Sequence, residues 1–394
     1  MSMATRIRRP ISDTELNRRW EEVRALMKKL DLDLVFLQGN NMHLGGYVRW
    51  FTDVPAEYNF HMTVMFPKQG EMTLIRTSGS RIPEWGLRGV AEVLYAPFSP
   101  TLNYTGDAEA GLATGYIKSI NPKRVGYIAP ALITSGFMLR VTRAFPEVEF
   151  VDITDEFDLI KAIKSPEEME LIRETARIHD SFFSALPAVV KPNMFEYQIR
   201  SEAIKLLTDL GSEEHLVFIG TNEPGKPCGM STFYYSNRKV NAGDYGTLLI
   251  EVSGPGGYYC EAARNFCFGE PYKALQKAWD VAVSAQLLTA SMLTPGRPAS
   301  DIVEKYNQYV SERGYCKEGR LYGHSQGYDL VERPACMAYR PEGNETMIIQ
   351  TGMNLSQHPY LTDSEQTVYI SDNFYVTENG PERIHKTPQE IILV

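Results

Sequence analysis

From Leu34 to Val151 the chain alternates short apolar runs, rich in β-branched and aromatic residues, with longer helix-compatible stretches. Few architectures accept such an alternation. The runs are Leu34-Val35-Phe36-Leu37, Thr63 to Phe66, Met72 to Ile75, Val93 to Tyr95, Val125 to Ile128 and Val148 to Val151, and the helical stretches lie near 108 to 120 and 132 to 144. Ahead of them Leu16, Trp20, Val23, Met27 and Leu30 recur at helical spacing. Short strands interleaved with helices bury their apolar faces by stacking in layers, so this part of the chain is expected to form an α/β domain on a small sheet.

A different pattern begins after a helical hinge, Glu156 to Lys164. Ser165-Pro166-Glu167-Glu168 supplies a serine N-cap, a proline at the first helical position and acid in the first turn, which together start a long helix. The domain boundary is therefore placed here, giving an N-terminal α/β domain over 1–158 and a second domain over 159–394. In the second, helices are expected near 166 to 188, 194 to 210, 272 to 293 and 299 to 313, with strands near 216 to 220 and 246 to 252 and a strand-rich tail. A chain of 394 residues, 43% of them hydrophobic, is long enough to bury two cores.

Charge and composition remove several classes of function. The formal charge is −9, and no basic run follows Arg6, Arg8 and Arg9, so no nucleic-acid partner is expected. Arginines 6, 8, 9, 18 and 19 interrupt the first thirty residues, which argues against a signal peptide or a membrane span and for a cytoplasmic location. The five cysteines form no Cys-x-x-Cys pair and are read as free thiols; Cys228 and Cys260 fit small apolar residues better than nucleophiles.

Within 159–394 several landmarks occur in order: Ile163-Lys164-Ser165-Pro166-Glu167-Glu168; Arg238 to Gly243-Asp244; Gly257-Tyr258-Tyr259-Cys260-Glu261 with Arg264; Gly323-His324 with Gly327; Gly352-Met353 with Pro359; and Asp372 with Val376 to Gly380. Singly weak, as an ordered set they resemble the creatinase/prolidase/aminopeptidase P family. The resemblance implies a pita-bread domain, α+β with a curved, pseudo-symmetric antiparallel sheet flanked by helices, and an active site on its concave face. It also implies a homodimer and a small-molecule substrate.

Peptidases of that family hold two divalent metals with two Asp, one His and two Glu. By the resemblance, the first Asp position falls on Leu249, with Glu251 the nearest carboxylate on the same strand face. The second Asp is Glu261, the His is His324, the first Glu is His358, and the second is Ser371 beside Asp372. The remaining set, Glu251, Glu261, His324 and His358, suits a single Zn, Fe or Mn ion or a metal-free acid/base site. Thr232 occupies the place of the family's acid/base histidine. Val331 replaces the His of the His-Glu-x-Pro motif, whose Glu survives as Glu332.

The expected catalytic residues are therefore His324, His358, Glu261 and Glu332, because imidazoles titrate near neutrality and neighbouring carboxylates tune them. Thr232, Tyr234 and Arg264 are expected to bind substrate, Tyr234 through the aromatic Phe233-Tyr234-Tyr235 cluster. The leading functional expectation is a creatinase-like hydrolase of a C–N bond in a small non-peptide substrate, metal-free or mononuclear. The alternatives are a lyase of the metal-dependent sulfoniopropionate type, whose ligand spacing matches Glu251 to Glu261, an Xaa-Pro peptidase, and a catalytically silent binding module.

Overall fold

The structure is a computed structural model that describes residues 9–39, 43–55, 61–79, 81–97, 106–230, 237–337 and 348–394. The chain divides into two compact units, Arg9–Lys161 and Ala162–Val394. Among the described residues no helix is long and apolar enough to cross a membrane.

The first unit contains α1 (Asp13–Lys29), β1 (Leu34–Gly39), α2 (Gly46–Thr52), β2 (Met62–Pro67), β3 (Met72–Thr77), β4 (Val90–Ala96), α3 (Asp107–Ile120), β5 (Arg124–Ile128), α4 (Ser135–Ala144), β6 (Glu149–Asp152) and most of α5 (Thr154–Ala162). Its six strands form one mixed sheet in the order β4-β3-β2-β1-β5-β6. The central strand β1 is buried at every residue, as the apolar run Leu34 to Leu37 requires, and buried Gln38 is paired with Thr63 Oγ1 and the Thr134 N–H. Phe36 and Leu34 pack there against Ala113 and Ile117 of α3 and against Phe137 and Val141 of α4.

The second unit opens with α6 (Pro166–Val189) and α7 (Glu196–Asp209), followed by β7 (Glu214–Asn222), β8 (Tyr245–Ser253) and β9 (Tyr259–Cys267). The start of α6 is a complete capping box: Ser165 Oγ accepts from the Glu168 N–H and the Glu168 side chain accepts from the Ser165 N–H. Replacing Ser165 by alanine is expected to cost about 1 kcal/mol, read as a lower urea midpoint at unchanged slope. Next come α8 (Lys273–Ala290), α9 (Ala299–Ser311), β10 (Leu321–Ser325), β11 (Glu332–Met337), β12 (Asn354–Gln357), β13 (Tyr360–Thr362), β14 (Thr367–Tyr369), β15 (Asp372–Thr377), β16 (Gly380–Arg383) and β17 (Ile392–Leu393). The unit thus repeats a motif, a helix pair followed by antiparallel strands. Its larger sheets run β17-β9-β8-β7 and β11-β10-β12-β15-β16.

Strand alternation divides each sheet into a helix face and a polar face. On β8 and β9, Leu248, Ile250, Val252, Ala262 and Phe266 turn to one side and pack with Phe182, Leu186, Ile199 and Leu207 of α6 and α7. Each such fully buried aliphatic or aromatic side chain contributes about 1.5–3 kcal/mol, so this face anchors the sheet and leaves the other free for chemistry. The second half repeats the arrangement, with Tyr322, Leu355, Phe374 and Val376 packed against Trp279, Ile302 and Tyr306 of α8 and α9. Residues two apart share a face, so Leu249, Glu251, Glu261 and Ala263 all project from the side opposite the helices of the first half.

Candidate active site

On that free face Glu251 and Glu261 are direct partners in the β8/β9 ladder. Opposite partners bring their Cβ atoms to within roughly 4.5–5.5 Å, so two carboxyl groups share one small volume. The second sheet contributes two imidazoles, His324 from β10 and His358 just past the end of β12. Ligand atoms of Glu261, His324 and His358, all buried, lie within 4.8 Å of one another. His324 Nε2 is 3.3 Å from Glu261 Oε2, and the two imidazole centroids are 5.4 Å apart. Gly323 makes the approach possible, since a Cβ there would lie 2.5 Å from the Ser356 carbonyl oxygen on the neighbouring strand.

Hydrogen bonding fixes what faces what. His324 Nδ1 lies 3.0 Å from the Ser325 carbonyl, which can only accept, so Nδ1 carries a proton. In a neutral ring Nε2 is then a bare lone pair aimed at a carboxylate. Two acceptors facing each other require a cation between them, either a proton that makes His324 an imidazolium or a metal ion. A ring whose remote nitrogen donates to a backbone carbonyl is how metal-binding histidines are usually oriented.

The two carboxyls are driven apart in acidity. Burial by itself pushes the Glu261 carboxyl up, but His358, followed by His324, outweighs it and holds the group at about 2, so Glu261 is ionised. Burial, and after it the Glu261 charge, pushes Glu251 well above the usual carboxylate range in the metal-free protein, so it gives up its proton less readily than an ordinary carboxyl. His358 is lowered, chiefly by burial, against the pull of Glu261. Glu251 Oε2 is buried with no hydrogen-bond partner, and the Ser371 hydroxyl helps to hold the Glu261 carboxyl down. An orphaned carboxyl oxygen across the ladder from a carboxylate that two imidazoles face is the environment a bound cation completes, and a His, His, Glu donor set matches mononuclear sites of the zinc type.

The raised Glu251 pKa has a consequence with a definite sign. Folded Glu251 holds a proton that the unfolded chain releases near its ordinary value of 4.5, so the stability it allows at low pH declines as pH rises above that point. Glu251→Gln is therefore expected to raise the melting temperature of the metal-free protein at pH 8 and to lose that advantage toward pH 5. A pH-independent difference in a thermal melt would refute the assignment.

Other expected residues have different places. Arg264 is wholly buried and uses all five N–H donors internally: Nε to Pro388 O, Nη1 to Ala263 O and Ser371 O, Nη2 to Asp372 Oδ1 and Thr387 O. No donor is left for a substrate, so its expected binding role is corrected to a structural one. Asp372, fully buried, is held by Arg264 at 2.8 Å and by Arg383 at 3.4 Å and stands apart from the cluster. Glu332 lies in a buried pair with Lys164 at 2.6 Å and accepts from the Asp329 N–H, so it is not positioned as a free acid. Thr232 and Tyr234 lie outside the described residues. Burial keeps the Cys228 and Cys260 thiols protonated, and Cys260 donates to the Ile172 carbonyl on the helix side of the sheet.

One group escaped the sequence reading. Tyr369 is buried with its hydroxyl 3.5 Å from Glu261 Oε1, and its ring centroid is 6.0 Å from that of His358. Burial, and after it the charges of Glu261 and Glu251, pushes its pKa well above the ordinary value, so it remains an O–H donor. Its position two residues before Ser371 was the available clue.

Comparison with known proteins identifies the family and the fold. Residues 170–378 match the profile described as metallopeptidase family M24, more than half of the chain, and the chain belongs to that family. It is 24% identical over 285 residues to the uncharacterized peptidase YqhT of Bacillus subtilis, covering 71% of this chain and 77% of that protein. It is 23% identical over 247 residues to a probable dipeptidase PepE of Mycobacterium bovis, covering 61% of this chain and 63% of that one. The solved structure of an Xaa-Pro dipeptidase from Bacillus anthracis superimposes with a TM-score of 0.77 at 19% identity, over 96% of this chain and 100% of the other. The fold is the prolidase-like one, an N-terminal α/β domain and a C-terminal pita-bread domain.

Proposed function

We propose that this chain is a hydrolase that holds one divalent metal ion on Glu261, His324 and His358 and cleaves a C–N bond in a small substrate. The observation that carries the reading is His324 Nε2 facing the Glu261 carboxylate at 3.3 Å, with His358 alongside. When bound, such an ion polarises a carbonyl and lowers the pKa of a water molecule. Glu261 stays ionised and orients His324, and Tyr369 offers a hydroxyl donor beside it. Glu251, across the ladder, is the carboxyl group suited to exchange a proton with the leaving nitrogen. It takes the acid role in place of Glu332, whose carboxylate is occupied by Lys164.

Relatives named as dipeptidases and an Xaa-Pro dipeptidase favour a dipeptide amide bond, including one to proline, over a creatinase-like non-peptide bond. The replacement of the first ligand position by Leu249 favours one ion over two. The test combines metal analysis of untagged protein, purified without chelator or added metal, with hydrolysis of Gly-Pro in ¹⁸O-labelled water. About one ion per chain and label in the released carboxylate support the proposal. Two ions would overturn the mononuclear site. An unsaturated product without label would move the chain to the lyases.

A further inference from the structure

The face that carries Glu251 and Glu261 continues, one row along, into hydrocarbon. Phe218, Leu249 and Ala263 are successive register partners across β7, β8 and β9. Leu249, Ala263 and Tyr369 form a buried apolar cluster, and Phe218, Met230 and Tyr360 pack against it while remaining partly exposed. The strand position that would carry a further carboxylate therefore forms part of an apolar wall directly beside the proposed ion site.

At the Tyr360 edge of this wall stands Arg320, which belongs to none of the motifs quoted above. Its guanidinium carbon is 5.2 Å from the Tyr360 ring centroid, and Tyr360 packs edge-on to Tyr369 at 5.7 Å. Arg320 Nε and Nη2 donate to the two oxygens of Glu318 at 3.1 and 3.2 Å. The Glu318 side chain is 4% exposed and the Arg320 side chain 67%. Among the described residues Nη1 makes no hydrogen bond. A guanidinium held in a fork on one side and against a ring on the other has already lost most of its rotamer freedom, so a second anion meets a preorganised donor.

We propose that Arg320 anchors a carboxylate of the substrate, and that the substrate class is a small acid whose apolar body lies over Leu249, Phe218 and Met230. The assignment rests on the hydrolase reading only for placing the scissile bond at Glu261, His324 and His358. The anchor itself is tested by binding alone.

The probes are isovalerate and isovaleramide, which share an apolar body and differ in charge, titrated calorimetrically into metal-loaded wild type and Arg320→Gln. The wild type is expected to prefer the acid by roughly tenfold or more, the scale of a hydrogen bond to a charged group. Arg320→Gln should abolish that preference, leave the amide's affinity unchanged and retain the bound metal; its melting temperature is expected to fall because Glu318 loses two donors, and the unchanged amide affinity and metal content show that the site stays folded. A preference that survives in Arg320→Gln would assign the carboxylate to the ion and overturn the proposal, as would a wild type without preference. Failure of the hydrolase reading looks different: no C–N substrate is turned over while the Arg320-dependent preference persists.

Discussion

His324→Ala is expected to remove the bound ion and at least about 10³-fold of the hydrolytic rate together, because metal polarisation is worth several kcal/mol of barrier. The same change leaves Glu261 ionised and buried without the partner now 3.3 Å away. Leaving a buried carboxylate without the groups that offset its charge costs about 3–5 kcal/mol, so the melting temperature should fall as well. The two losses separate in the double variant Glu261→Gln, His324→Ala. Neutralising the stranded carboxylate should recover much of the stability and none of the metal. Metal content by mass spectrometry and calorimetric melts distinguish the cases. An His324→Ala protein that keeps its ion and its rate would exclude the proposed site.

Arg264→Lys tests the opposite kind of residue. Lysine keeps the charge but offers three donors in place of five, and the guanidinium now satisfies carbonyls of Ala263, Ser371, Pro388 and Thr387 together with Asp372. Two of the five hydrogen bonds go unmade, at about 0.5–1.5 kcal/mol each, because the Ala263, Ser371 and Thr387 carbonyls each keep a second donor. Arg264→Met also leaves Asp372 with Arg383 at 3.4 Å as its remaining arginine and should be worse, by about 1–3 kcal/mol more. Both variants are expected to melt several degrees lower, in that order. A substrate-binding arginine would instead raise KM at an unchanged melting temperature, so one calorimetric scan and one Michaelis curve decide between the roles.

Much of the architecture was legible in the chain. The alternation from Leu34 to Val151 implied the layered first domain, and Ser165 with Glu168 announced α6, because capping and periodicity are local and act through residues a few positions apart. Period-two alternation put Glu251 and Glu261 on strand faces, and the ordered motifs pointed to His324 and His358. The three groups that come together, Glu261, His324 and His358, were all named from sequence.

What the sequence could not determine is which partner each charged group would meet. Arg264 and Glu332 sit inside motifs that suggested chemistry, yet Arg264 bonds to residues more than a hundred positions away and Glu332 to Lys164. Tyr369 carried no motif and joined the cluster through the packing of β14 beside β8 and β9. The opposite acidities of Glu251 and Glu261, two similar carboxyls on adjacent strands, arise because only Glu261 faces the imidazoles. Local pattern by itself determined which residues share a strand face. The tertiary structure decided which buried charges are neutralised by neighbours and which are left for a metal or a substrate, because Coulomb and desolvation energies depend on distances through space that no sequence spacing encodes.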